Sequence, residues 1–134
     1  MSSENVEIAR RGLIACFAQP PDLEIAMEIA DPGIFFTSNW GAEESEFHGV
    51  DGIVEGIAEM AAAFDPWRQE LEEIIDAGDG AVVAFMRLTA RGRESGVPVE
   101  FPWALLITLS GGLITSARAF IDRDEALRAA GVGD

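Results

Sequence analysis

The sequence predicts an α+β fold in which helices cover one face of a curved antiparallel sheet. Two observations carry this. Apolar residues at helical spacing fill the first half of the chain, and β-branched and aromatic runs separated by short Gly-rich turns fill the second. Turns of that length join antiparallel neighbours.

From Asn5 to Ala18 the residues Val6, Ile8, Ala9, Leu13 and Phe17 recur at helical spacing, and Pro20-Pro21 blocks continuation. Asp22 is placed to cap a second helix through Ile29, whose face is Leu23, Ile25, Ala26 and Ile29. Asp31-Pro32-Gly33 supplies turn chemistry after it, and Ile34 to Trp40 reads as a first strand. The polar, acidic stretch Gly41 to Gly49 reads as a loop. Val50 to Phe64 then has the pattern of a third helix, carrying Ile53, Ile57, Met60 and Phe64, although Gly52 and Gly56 each lower helix propensity.

Beyond Asp65-Pro66 four strands follow: Arg68 to Asp76, Ala81 to Arg91, Val97 to Leu109, and Leu113 to Asp122. Their turns are Ala77 to Gly80, Gly92 to Gly96, and Ser110 to Gly112. The tail from Asp122 to Gly131 reads as a short capped helix.

One domain spanning 1–134 is expected, since 134 residues with 49% hydrophobic content can bury a core. The net charge of -15, from 24 acidic against 9 basic residues, would be repelled by nucleic acid or an anionic membrane. No apolar run approaches the roughly 20 residues needed to span a bilayer, and the N-terminus lacks a signal-peptide pattern. The expected location is the cytoplasm. Cys16 and His48 are the only residues of their kinds, so one chain can form neither a disulfide nor a zinc site of Cys and His type. Neither metal nor cofactor is implied.

Several strings point further: Asn5 to Arg11, Asp22-Leu23-Glu24, Phe47-His48-Gly49-Val50-Asp51-Gly52-Ile53, Ile75 to Asp79, and Asp122 to Gly131. In this order they resemble SnoaL-like proteins of the nuclear transport factor 2-like superfamily, over almost the full chain. The resemblance implies a cone-shaped fold whose concave sheet face and helices enclose a pocket, with a homodimer through the outer sheet face. Relatives of that kind include ketosteroid isomerases, polyketide cyclases and limonene epoxide hydrolases, so the fold does not fix the function.

Carried residue by residue, the resemblance leaves the catalytic positions empty. The steroid isomerase's two oxyanion donors fall at Ile14 and Leu105 and its general base at Thr37, none of which can do that work. The epoxide hydrolase's carboxylate position falls at Ala119, and its charged pair falls among Ala81 to Ala84. Strand parity from these positions gives an inward wall of Phe35, Thr37 and Asn39; Ala84, Met86 and Leu88; Phe101, Trp103, Leu105 and Ile107; and Ala117, Ala119 and Ile121. The opposite parity gives a mixed outer face that includes Arg87, Thr89, Glu100, Arg118, Phe85, Leu106 and Phe120, which suits a dimer interface.

Within this frame the candidate ligand-binding residues are Ile14, Phe35, Thr37, Asn39, Trp40, Met86, Trp103, Leu105 and Ala119. His48 is the candidate general base, in a loop near the pocket mouth, against a surface or capping role. Trp103 either stacks on a planar ligand or fills the cone. Arg118 is weighed as an anion contact against an ion pair with Glu100 or an interface role. Cys16 reads as a buried inert thiol, and Glu43, Glu44 and Glu46 as a solvated loop rather than a cation site. Three functions remain open: a binding module for a small hydrophobic molecule, a cyclase or isomerase-type enzyme using His48, and a structural interaction protein with a filled cone.

Overall fold

The computed structural model describes residues 2–38 and 45–132. Among them lie helices α1 (Ser2–Cys16), α2 (Leu23–Ile29), α3 (Gly49–Ala63) and α4 (Arg123–Ala129). The strands are β1 (Ala30–Ser38), β2 (Ser45–His48), β3 (Phe64–Gly78), β4 (Ala81–Gly92), β5 (Pro98–Ser110) and β6 (Leu113–Phe120). The fold is α+β, with one curved, open sheet in the order β2-β1-β6-β5-β4-β3. No helix among the described residues is long and apolar enough to cross a membrane.

The sheet is mixed rather than wholly antiparallel, because β1 pairs with β6 in parallel. Short turns dictate antiparallel pairing only between consecutive strands; β1 and β6 are far apart in sequence and escape that constraint. The Asp31-Pro32-Gly33 stretch also lies inside β1 instead of before it. The Asp31 carboxylate accepts the Gly33 N–H at 2.7 Å, and pairing with β6 slips between Ala30 and Phe35. Residues 45–48, expected as loop, form β2 on the sheet edge. Pro66 sits within β3, which tolerates it as the opposite edge strand.

Local capping follows the sequence. Asp22 accepts the Ile25 N–H at 3.3 Å, and Asp122 accepts the Asp124 N–H at 2.9 Å, which satisfies donors that open each helix. The helices α1, α2 and α3 lie over the concave face, where the main core gathers Ala9, Leu13, Ile29, Met86, Leu88, Trp103 and Ile107. The last helix does not join them. Ala126 and Leu127 of α4, with Ala130 just past its end, pack on Val83, Ala104, Leu106 and Phe120, which face the other way. Part of the outer apolar surface assigned to a dimer interface is therefore covered by the chain itself.

A bulge in β3 organises that outer side. Leu71 pairs with Met86 and Glu73 with Phe85, so Glu72 is the extra residue. Such a bulge re-aims a side chain. The Glu72 carboxylate accepts from Arg87 Nε at 2.8 Å and from Arg123 Nη2, which also donates to the Met86 carbonyl at 2.6 Å. The Arg123 guanidinium lies 4.8 Å from the Phe85 ring centroid. Hydrogen bonds from Arg87 and then Arg123 hold the Glu72 carboxyl below the usual glutamate range.

Two of the three glycines of α3, Gly52 and Gly56, have packing reasons. A Cβ on Gly52 would come within 3.0 Å of the Phe47 carbonyl carbon, and one on Gly56 within 2.6 Å of Phe36 Cζ. Gly56 makes room for the Phe36 ring, which stacks on Phe47 at 4.9 Å between centroids.

Two outcomes are expected. Gly56→Ala gains about 1 kcal/mol of helix propensity but overpacks Phe36 at about 1–3 kcal/mol, so its urea midpoint falls; a midpoint above the wild type's shows that the ring yields freely. Because the folded pKa of Glu72 is depressed, its contribution is complete above the ordinary glutamate value of about 4.3 and is lost as pH falls through the folded value. Glu72→Gln is therefore less stable than wild type at pH 7, and the gap closes in acid. A gap that is the same at both pH values contradicts the assignment.

Candidate functional site: an apolar cavity under the helices

A cavity of about 460 Å³ lies between the concave face and α1, α2 and α3. Each helix contributes the stripe its periodicity dictates. From α1 come Ala9, Gly12, Leu13 and Cys16; from α2, Ala26 and Ile29; from α3, Ile53, Gly56, Ile57 and Met60. The sheet supplies Ile34, Phe36, Trp103, Leu105, Ile107, Ile114, Ala117 and Ala119. The small side chains of Ala117 and Ala119 leave space that larger residues would close, whereas Gly12 lets Ile29 and Ile114 pack on α1, their Cδ1 atoms lying 3.0 and 3.1 Å from where its Cβ would be.

Four lining residues carry polar side chains: Cys16, Thr37, Glu59 and Gln69. Glu59 is exposed on α3. Burial pushes the Cys16 thiol up to about 11, so it stays protonated at neutral pH. Gln69 on β3 is held from both sides. Its Oε1 accepts the Trp103 indole N–H at 2.9 Å, and its Nε2 donates to Met60 Sδ at 3.3 Å. Trp103 in turn meets the Phe17 ring edge-on, at 6.3 Å and 84°.

Of the residues expected at the site, Thr37, Trp103, Leu105 and Ala119 contribute to the lining. The others part from it for identifiable reasons. Ile14 is 62% exposed, because the inward stripe of α1 runs through Ala9, Gly12, Leu13 and Cys16 and turns Ile14 away. Phe35 yields to Ile34 and Phe36, since the phase of β1 is set by Phe36 packing on Phe47 under α3. Thr37, in the same phase as Phe35, pairs with Glu46 and Arg118. Strand alternation therefore turns its side chain to the convex side, so Thr37 borders the cavity through its backbone and not its hydroxyl. Its Oγ1 is buried without a hydrogen-bond partner among the described residues. Met86 is 1% exposed and packed within the core, outside the lining. Asn39, Trp40, Glu43 and Glu44 lie outside the described residues.

His48 is likewise not part of the cavity. The strand β2 sends Phe47 inward and His48 the other way, with Nε2 3.1 Å from Glu46 Oε1 and the ring 6.1 Å from that of Phe35. Its side chain is 69% exposed. Ile121, expected on the wall, is 58% exposed just past the end of β6. Arg118 faces outward, with its guanidinium 5.0 Å from the Phe120 ring centroid.

Gln69 is a polar lining side chain that the sequence did not announce. Its ladder partner is Leu88, an inward residue, so carrying parity across from β4 would have found it. The two consecutive glutamates at 72 and 73 hide the pattern by shifting its phase.

The SnoaL-like domain family matches residues 11–117, and the chain belongs to that family. The fold is that of nuclear transport factor 2-like proteins. A nuclear transport factor 2-like protein from Burkholderia thailandensis E264 superposes with a TM-score of 0.77 at 21% identity, covering 96% of this chain and 98% of that one. A candidate SnoaL-like polyketide cyclase from Jannaschia sp. CCS1 gives 0.74 at 23% identity, covering 99% and 95%. TerC, co-crystallised with polyporic acid, gives 0.74 at 16% identity, covering 96% and 98%. At these identities the likeness establishes the fold alone. No curated protein matches the sequence significantly.

The raised Cys16 pKa has a kinetic consequence. At pH 8 N-ethylmaleimide is expected to modify Cys16 roughly a hundredfold more slowly than a free thiol of pKa about 8.5, with the rate climbing as pH approaches 11. Mass-spectrometric labelling kinetics check this; a rate equal to that of free cysteine refutes the burial argument.

Proposed function

We propose that the chain is a cytoplasmic binding module that takes up a small, largely apolar molecule in the cavity beneath α1, α2 and α3. The observation that carries this reading is the cavity itself: about 460 Å³, walled almost entirely by aliphatic and aromatic side chains. That volume falls within the range of about 300–1,000 Å³ typical of small-molecule sites. It also speaks against the filled-cone reading, in which Trp103 and the aliphatics would occupy the space. The co-crystallisation of the structurally similar TerC with polyporic acid supports a small-molecule ligand.

Binding is favoured over catalysis because the described lining lacks a placed acid or base. Glu59 is exposed, Cys16 is held protonated, and His48 lies on the other side of the sheet edge. The enzyme reading drawn from cyclase-like neighbours therefore has no proton-transfer group to work through among the described residues. A homodimer remains part of the proposal, through the outer sheet surface that α4 leaves uncovered.

Native mass spectrometry of gently purified protein tests ligand and assembly together: the expected result is a dimer carrying added small-molecule mass. In solution, the neutral dye N-phenyl-1-naphthylamine is expected to gain fluorescence on binding. Ala119→Phe, which fills the wall, lowers its affinity by roughly tenfold or more with unchanged circular dichroism. His48→Ala changes it by less than about twofold, as expected for a residue outside the cavity. Absence of both retained mass and dye binding overturns the reading.

A further inference from the structure

We infer that Gln69 selects a neutral ligand bearing an oxygen acceptor, such as a ketone carbonyl. This rests on the proposed binding cavity and names the chemical class it accepts. The indole N–H of Trp103 is a donor only, so the group facing it must be the Gln69 carbonyl oxygen. That contact fixes the orientation of the amide and turns its NH2 end away from Trp103. One amide hydrogen goes to the Met60 thioether, a weak acceptor, and the second has no partner among the described residues. A strong acceptor on a ligand fills that deficit, whereas a hydrocarbon leaves it.

The charge of the site decides against an anion. Among the described residues the lining holds no Arg, Lys or His, and its ionised member is Glu59. A carboxylate entering this wall would lose hydration, meet no cation and approach a like charge. Trp103 has a second role here: it is the positioning residue that keeps the donor end of Gln69 available.

The test compares three probes on one flat tricyclic frame by equilibrium dialysis: fluorene, 9-fluorenone and 9-fluorenecarboxylate. Wild-type protein is expected to bind 9-fluorenone roughly fivefold more tightly than fluorene, the gain of about one net hydrogen bond, and the carboxylate most weakly. Gln69→Met keeps the length of the side chain and removes the donor, so fluorene affinity persists while the preference for 9-fluorenone disappears. Equal wild-type affinity for fluorene and 9-fluorenone, or tightest binding of the carboxylate, overturns the role of Gln69 and leaves the apolar-cavity reading standing. Failure of all three probes to bind overturns both. The wild-type comparison decides the matter even if the variant does not fold.

Discussion

The pairing of β4 with β5 is the constraint on which the rest depends. It runs without a register shift from Ala81 opposite Thr108 to Arg91 opposite Pro98. An unbroken ladder fixes the face of every side chain in both strands. It sends Val82, Ala84, Met86 and Leu88, with Trp103, Leu105 and Ile107, to the concave core. Val83, Ala104 and Leu106 go to the convex side, where α4 covers them. With both faces buried, a slip of one residue would exchange two cores at once. Neighbouring strands depart from regular pairing around this fixed centre: β3 bulges at Glu72, and β1 slips against β6 between Ala30 and Phe35. Such irregularities increase twist and bend the strands that carry them.

A concave sheet under helices need not enclose space, and most protein interiors do not. Here the space follows from where bulk is placed. Trp103, Phe36 and Phe47 stand on the wall, while Ala117 and Ala119 lie where larger side chains would close the gap. About 460 Å³ of space against an apolar wall forfeits the contacts that a filled core would make there. Water is a poor remedy against an apolar wall, because each molecule needs polar partners. The shape is thus a better fit for an apolar occupant than for either vacuum or solvent.

The parts of the fold legible in the sequence were those governed by local periodicity and turn chemistry. Helix stops at Pro20-Pro21, caps at Asp22 and Asp122, and the β3 to β6 meander all follow from rules acting over a few residues. What could not be read depended on contacts distant in sequence. The parallel union of β1 with β6 brings together segments at opposite ends of the chain, and no turn motif announces it. The phase of β1 failed for the same reason: Phe35 and Phe36 are both aromatic, and only the stack on Phe47 and the gap at Gly56 select Phe36. The wall contributed by β5 and β6 was accessible because Trp103, Leu105, Ala117 and Ala119 alternate cleanly. Gln69 was lost behind a bulge, and His48 behind a β-strand made from residues that look like loop.

Within one family, a scaffold that holds a cavity can serve catalysis or binding, and the difference lies in a few wall atoms. Proton transfer needs a titratable group held against the reacting atom, with an environment that tunes its pKa. This wall instead offers Leu105 and Ala119, which can neither give nor take a proton, and a thiol whose ionisation burial suppresses. Its best-oriented polar group is an amide, which does not titrate and is locked by a neighbouring indole. On the proposed reading, an amide in that setting does what a charged residue would do badly in so apolar a space: it would distinguish ligands by one hydrogen bond without drawing in an ion and its water. The chain's strong negative charge acts in the same direction on the proposed reading, since it disfavours the approach of anions.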